Sequence, residues 1–330
     1  MTRSTARDSM RPDLFQIHRT RVRDGVELAY VREGIGGVPL LMLHGWPGTK
    51  RIFYRNIGPL ADHGFEVIAP DASGWGDSPA RSGPGWADQV MAARDSVALM
   101  DALGHDRFVL AAFDQGSVIG LDLVNRFPQR IMRQVLWSAL LPFLPQEYAA
   151  AGVDGDMLAE VATVTDHVAE HGNGADRLLA ALPTPEARKD YVKGFYQGRI
   201  WKAGDPARGL AGPGAFDDEA ADFHAEPFTD AHTFRDSLRW YETLLHPELF
   251  SEPPLLAQAP DTETLFLIGA HDFTMGPNAS RRAAVAYRNL VGPFLVEGTG
   301  HFLSWERPRL FNDAITSFCR DLLSERPRQS

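Results

Sequence analysis

A chain of 330 residues with 33 basic and 43 acidic side chains and 44% hydrophobic residues is long enough for one large domain or two of ordinary size. Its near-average apolar and charged fractions exclude a mostly disordered, collagen-like or coiled-coil protein. A formal net charge of -10 speaks against the basic face that nucleic-acid backbones require, and a single cysteine, Cys319, excludes an internal disulfide and a cysteine-built zinc centre.

Residues 1–13 mix Arg, Ser and Asp without the apolar stretch of a secretory signal and read as a flexible tail. No run approaches the roughly 18 apolar residues of a membrane span. A soluble protein of the cytoplasm is the simplest expectation. Val26 to Val31 reads as a strand ending in the turn cluster Gly34, Gly36 and Gly37. Leu40 to Leu43, Val67 to Ala69 and Phe108 to Phe113 are short apolar runs that stop at polar or turn residues, and Trp86 to Leu103 carries a helical apolar spacing. Short buried strands alternating with helices predict a mostly parallel sheet covered on both faces.

From about Pro142 to Pro254 that alternation stops. The segment reads as mostly helical, with turn clusters at Gly172-Asn173-Gly174 and Gly209 to Gly214. Between Arg208 and Arg235 six carboxylates (Asp217, Asp218, Glu219, Asp222, Glu226, Asp230) stand near His224 without a Lys or Arg among them. Nothing there fixes convergent ligands, so a solvated acidic helix is expected in place of a metal site. The strand–helix rhythm then resumes: Leu265 to Ile268, a helix from Ala279 to Leu290, the strand Phe294 to Val296, and a terminal amphipathic helix that buries Cys319 as a structural thiol. The organisation predicted is an α/β core of residues 14–141 and 255–330, interrupted by a helical cap of residues 142–254.

Ala112-Phe113-Asp114-Gln115-Gly116 carries the most chemical information. A strand turning directly into a helix needs small residues around the turn, and Ala112 and Gly116 supply them. The turn residue then projects above the sheet edge with the next backbone N–H beside it. Serine usually occupies such an elbow; here it is a carboxylate. Taken alone, Asp114 is also open to reading as a helix N-cap. His44-Gly45-Trp46-Pro47 follows another strand, so its loop reaches the same edge and can present the Trp46 N–H next to that of Gln115 as an oxyanion hole. Asp272 and His301 each follow a later strand. Carboxylate, acid and histidine in that chain order fit successive loops at one sheet edge.

With Gly74-Trp75-Gly76-Asp77-Ser78-Pro79, these segments resemble the α/β-hydrolase superfamily over the whole chain after the tail, within it the epoxide hydrolase and haloalkane dehalogenase branch. The resemblance implies an eight-stranded, mostly parallel sheet with a helical cap, Asp114 as nucleophile, His301 as base and Asp272 as its partner. Arg239-Trp240-Tyr241 looks like the late-cap tyrosine segment of epoxide hydrolases, which makes Tyr241 the donor to the epoxide oxygen. His44, Pro47, Trp201 and Tyr196 are expected as substrate contacts. Two departures stand out. Gln115 replaces the tryptophan that commonly follows the nucleophile, and it lacks the charge of the arginine that fluoroacetate dehalogenases carry there. The second cap tyrosine has no match in the expected stretch from Met157 to Ala175, for which Tyr148, Tyr191, Tyr196 and Trp201 are the substitutes at hand.

The activity predicted is hydrolysis of a small, largely apolar epoxide to a vicinal diol through an Asp114 ester, with no metal and no organic cofactor. The alternatives are a dehalogenase using the same nucleophile and a non-catalytic ligand receptor on this fold. No nucleic-acid or membrane partner is expected, and the oligomeric state is left open, a homodimer among the options.

Overall fold

The short apolar runs assemble into one eight-stranded sheet. The computed structural model describes residues 9–79, 88–153, 167–199, 210–276 and 278–324. The strands are β1 (Ile17–Arg23), β2 (Val26–Glu33), β3 (Val38–Leu43), β4 (Phe65–Pro70), β5 (Phe108–Asp114), β6 (Ile131–Ala139), β7 (Thr264–Gly269) and β8 (Leu290–Val296). Their order across the sheet is β1-β2-β4-β3-β5-β6-β7-β8. β1 and β2 pair antiparallel, as do β2 and β4; every later pairing is parallel.

Burial explains which strands read clearly. β3, β4 and β7 are buried along their whole length, because helices cover both faces and leave no solvent side for polar alternation. Among these helices are α1 (Ile57–Asp62), α2 (Gln89–Ala102) and α3 (Gln115–Arg126). α2 starts where Asp88 accepts a 2.7 Å hydrogen bond from the Met91 N–H, an ordinary carboxylate N-cap. Trp86 lies outside the described residues.

Between β6 and β7 the chain leaves the sheet. It forms α4 (Pro145–Ala150), α5 (His167–Ala181), α6 (Pro185–Tyr196), α7 (Asp218–Ala225), α8 (Ala231–Ser237) and α9 (Arg239–Leu245). The expected turn at Gly172-Asn173-Gly174 is a kink inside α5, with Gly174 at φ -141° and ψ 20°. The acidic stretch is partly neutralised: Lys193 pairs with Asp218 and Asp222 across α6 and α7, while His224 is buried against Trp305 and Tyr196. Among the described residues no three His, Cys, Asp or Glu side chains converge as metal ligands, and no helix is long and apolar enough to cross a membrane.

After β7, α10 (Ala279–Ala286) stops four residues short of the predicted Leu290. Leu290 already pairs with Thr264 and Val291 with Leu265, so the sheet claims the end of that apolar stretch. α11 (Pro308–Phe318) closes the fold, with Cys319 fully buried and its thiol pKa raised by burial to about 12.

The parallel register brings the C-terminal ends of the central strands to one edge. Leu43 pairs with Ala112, and Asp114 with Ala139. The helical insertion is fastened over this edge by aromatic contacts. Trp75 packs on Trp240 at 4.4 Å between ring centroids, and His44 packs on Trp75 at 5.0 Å. Such pairs are each worth about 0.5–1.5 kcal/mol beyond their buried area. Gln89 adds a polar tie by donating to the Trp240 carbonyl at 3.0 Å.

Candidate active site

β5 turns into α3 without an intervening residue. The turn falls on Asp114, at φ 49° and ψ -129°, a conformation that costs an L-residue on the order of 1–3 kcal/mol. Its neighbours must be small. A Cβ on Gly116 would stand 2.5 Å from the carbonyl oxygens of Leu43 and His44, and one on Gly45 would collide with the Asp114 carboxylate. With Gly at both places the loop after β3 closes on the elbow, and the Trp46 N–H donates to Asp114 Oδ1 at 2.7 Å.

That loop is held from several sides. His44 Nε2 accepts from the Ala72 N–H at 3.2 Å, while Nδ1 faces the Gly45 carbonyl. Burial lowers the His44 pKa and keeps the ring neutral, as an accepting Nε2 requires. Asp71, fully buried, accepts from the Lys50 and Asp77 N–H groups, each at 2.8 Å, and pairs with the Lys50 ammonium. Ser78 donates to the Asp71 carbonyl and accepts from the Ala29 N–H, both at 2.8 Å. The Gly74-to-Pro79 segment is therefore a brace for the loop that touches Asp114.

His301 follows β8 and puts Nε2 3.5 Å from Asp114 Oδ2 and Nδ1 3.2 Å from Asp272 Oδ2. Thr274 donates to Asp272 Oδ1 from its hydroxyl at 2.6 Å and from its backbone N–H at 3.0 Å. Burial works against the charge on Asp272, but His301 and these hydrogen bonds hold its pKa below the usual carboxylate range. Burial likewise opposes an imidazolium at His301. The carboxylates on either side outweigh it and raise its pKa to about 10.

Above the carboxylate lies a cavity of about 90 Å³ whose wall includes Asp114, Gln115, His167, Tyr241, Leu140 and Met275. Burial, and then the charge on Asp114, push the Tyr241 pKa well above that of a free phenol, while a hydrogen bond from the Gln115 side chain opposes the shift. Tyr241 therefore keeps its proton at neutral pH. His167, on α5, packs edge-on to Tyr241 at 5.6 Å, and burial lowers its pKa to about 4.

Four expected contacts lie elsewhere or outside the description. His44 lines a separate cavity of about 30 Å³ behind Trp240, because its ring is turned inward to hold the loop. Pro47 offers its carbonyl to the Tyr196 hydroxyl at 2.8 Å, so the pair ties α6 to the loop, and neither is among the described residues that form the wall of the catalytic cavity. Trp201 lies outside the described residues. The two remaining substitutes for a second tyrosine are also committed: Tyr148 donates to the Pro142 carbonyl, and Tyr191 meets His171 and Glu170. His167 lies in the stretch from Met157 to Ala175 where the resemblance calls for a tyrosine, so a tyrosine pattern does not point to it. The signal present was a pair of histidines, His167 and His171, one helical turn apart.

The family model described as alpha/beta hydrolase fold matches residues 38–308. The soluble epoxide hydrolase of Corynebacterium sp. is 28% identical over 308 residues, covering 91% of this chain and 96% of that protein. An uncharacterized hydrolase of Saccharomyces cerevisiae is 35% identical over 118 residues, and this alignment spans 35% of the chain and 40% of the yeast protein. Among solved structures, an epoxide hydrolase from Vigna radiata shares the fold with a TM-score of 0.74 at 21% identity, over 93% of this chain and 98% of its own.

Proposed function

Because the chain belongs to the α/β-hydrolase fold family, we propose that it is an epoxide hydrolase whose nucleophile is Asp114. The observation that carries this reading is the phenol of Tyr241 in the wall of the same small, mostly apolar cavity as an Asp114 carboxylate backed by His301. Ring opening needs both ends: a nucleophile for carbon and a proton for the departing alkoxide. A halide leaves without a proton, so a dehalogenase would use this phenol only as a hydrogen-bond donor to the halide and not as an acid.

In the first step Asp114 Oδ2 attacks a ring carbon, the C–O bond of the epoxide breaks, and Tyr241 gives its proton to the oxygen. His167 stands where the resemblance predicts a second tyrosine, and as a neutral imidazole it supplies the second hydrogen bond. The product of this step is an ester on Asp114. In the second step His301, oriented by Asp272, takes a proton from water as the hydroxide attacks Cγ. The oxyanion forms on Oδ1, which the Trp46 N–H already holds; the Gln115 N–H is the second donor. Collapse frees the diol and restores the carboxylate. Esterification removes the negative charge beside His301, so its pKa falls and the proton it holds at rest returns through solvent to the Tyr241 phenolate. This leaves a free imidazole when a base is needed, and on collapse the departing alkoxide takes the proton of the added hydroxide. A small, largely apolar epoxide suits the cavity.

A panel of epoxides and haloalkanes, with diol and halide measured separately, tests the reading directly. Tyr241→Phe then isolates the hydroxyl, since phenylalanine keeps the ring packing. Diol formation is expected to fall about 10²–10⁴-fold, towards the lower figure to the extent that His167 shares the proton transfer. A rate within a few-fold of the wild type would remove Tyr241 from the mechanism.

A further inference from the structure

His301 stands on a turn five residues past the end of β8, so its backbone is held by partners outside the strand. Its N–H donates to the Leu210 carbonyl at 2.7 Å, and its carbonyl accepts from the Ser138 hydroxyl at 2.9 Å. The N–H groups on either side, of Gly300 and Phe302, both donate to one side chain, Glu306, at 2.8 and 3.0 Å. Glu306 closes the short helical turn Leu303–Glu306 and also accepts from the Thr299 hydroxyl at 3.1 Å and the Gly212 N–H at 2.9 Å. Leu210 and Gly212 come from the segment inserted between β6 and β7, so the same carboxylate joins the histidine turn to that insertion. Gly300 permits the contact, since a Cβ there would stand 2.2 Å from the Leu210 carbonyl oxygen.

Four donors converging on one group suit a carboxylate, which accepts at both oxygens and donates at neither. Hydrogen bonds to an ionised acceptor are also roughly twice as strong as neutral ones. The charges that raise the His301 pKa are those of Asp272 and Asp114, so Glu306 acts on the histidine through its backbone and not as a further counter-charge. The place of the imidazole matters in one half of the reaction. Asp114 and Tyr241 carry out ring opening, whereas His301 must meet a water on its way to Cγ while Nδ1 stays on Asp272. A misplacement of about 1 Å in such an arrangement can cost about 10²-fold.

We propose that Glu306 is a positioning residue for the hydrolytic half-reaction: it fixes the turn that carries His301 against the inserted helical segment, so that the imidazole meets the water attacking the Asp114 ester. This rests on the epoxide reading and adds a residue that touches neither substrate nor nucleophile.

The test mixes the wild type, Glu306→Ala and Glu306→Gln with an epoxide that the wild type turns over, and follows the ester on the Asp114 peptide by quenched-flow mass spectrometry. In Glu306→Ala the ester is expected to form within about threefold of the wild-type rate and to hydrolyse about 10²-fold more slowly. The ester then accumulates, and kcat and KM fall together while kcat/KM, set by ester formation, stays within about threefold. Glu306→Gln keeps an oxygen for three of the donors and turns an NH₂ towards the fourth, so its hydrolysis step is expected to slow about 10-fold, the scale of one lost hydrogen bond. Hydrolysis at the wild-type rate in Glu306→Ala, or an equal slowing of both steps, would overturn the proposal and leave the epoxide reading intact. Where Glu306→Ala does not fold, the same division of the two steps in Glu306→Gln decides. A wild type that forms no Asp114 ester with any epoxide would overturn the epoxide reading and this proposal with it.

Discussion

Asp114→Asn is expected to abolish turnover, with kcat lower by about 10⁴- to 10⁶-fold, the scale seen when a nucleophile that acts as one unit with its base is removed. The reason is chemical. A carboxamide oxygen is a poor nucleophile, and no neighbouring group in the described cavity can replace the carboxylate. The fold has little cause to change. Asparagine keeps an oxygen to accept from the Trp46 N–H at the 2.7 Å position and keeps the shape that fits the elbow at φ 49°. Asparagine also tolerates positive φ better than most residues. Circular dichroism and the thermal midpoint should match those of the wild type. Diol formation at the wild-type rate, with the mass of the peptide excluding deamidation back to Asp, would sink the nucleophile assignment.

His301→Gln is expected to divide the reaction. The first step uses Asp114 and the donors of the cavity, so the ester should form. The second step loses the base that activates water, a loss of about 10²–10⁴-fold. The intermediate should therefore accumulate. Mass spectrometry after mixing with substrate should find the enzyme heavier by one intact epoxide, with the added mass on the peptide containing Asp114. Glutamine still reaches towards Asp272 and does not empty the buried site between Phe113 and Phe302, where the imidazole now packs. Multiple turnovers with no adduct would mean that water attacks the substrate directly and that His301 has another task.

The parts of the fold that could be read from sequence are those where the chain has one environment throughout. β3 and β5 are apolar on both faces, so their ends were visible at His44 and Asp114, and two pieces of the site came with them. β1 leaves no clear mark in the sequence because it is a partly exposed edge strand, IHRTRVR, paired only with β2 among the described strands and without an apolar run. β6 was hidden by polar residues near its start. Arg133 reaches outward to Glu263 and Asp321, and Gln134 is buried where Thr264 donates to its side chain at 3.3 Å. The misplaced contacts share a different cause. His44, Pro47 and Tyr196 sit near the nucleophile in space, but sequence position cannot tell which way a ring or carbonyl turns. The braces that settle it, Ala72 for His44 and α6 for Pro47, lie far off in the chain. His167 required distance information of the same kind.

The unequal setting of the two Asp114 oxygens has an isotopic consequence. Oδ1 is held by a backbone N–H, whereas Oδ2 faces His301; in the proposed mechanism Oδ2 leaves with the product as part of the diol. In heavy-oxygen water the first diol released should carry an oxygen from the protein, and later ones an oxygen from solvent. The hydroxide that His301 delivers arrives on the side that Oδ2 vacated. Provided the carboxylate does not rotate against its hydrogen bond between cycles, that newcomer becomes the next attacking atom. After many cycles the recovered Asp114 peptide should hold one heavy oxygen, not two. The single retained light oxygen would then serve as a record of which side of the carboxylate the loop has kept still.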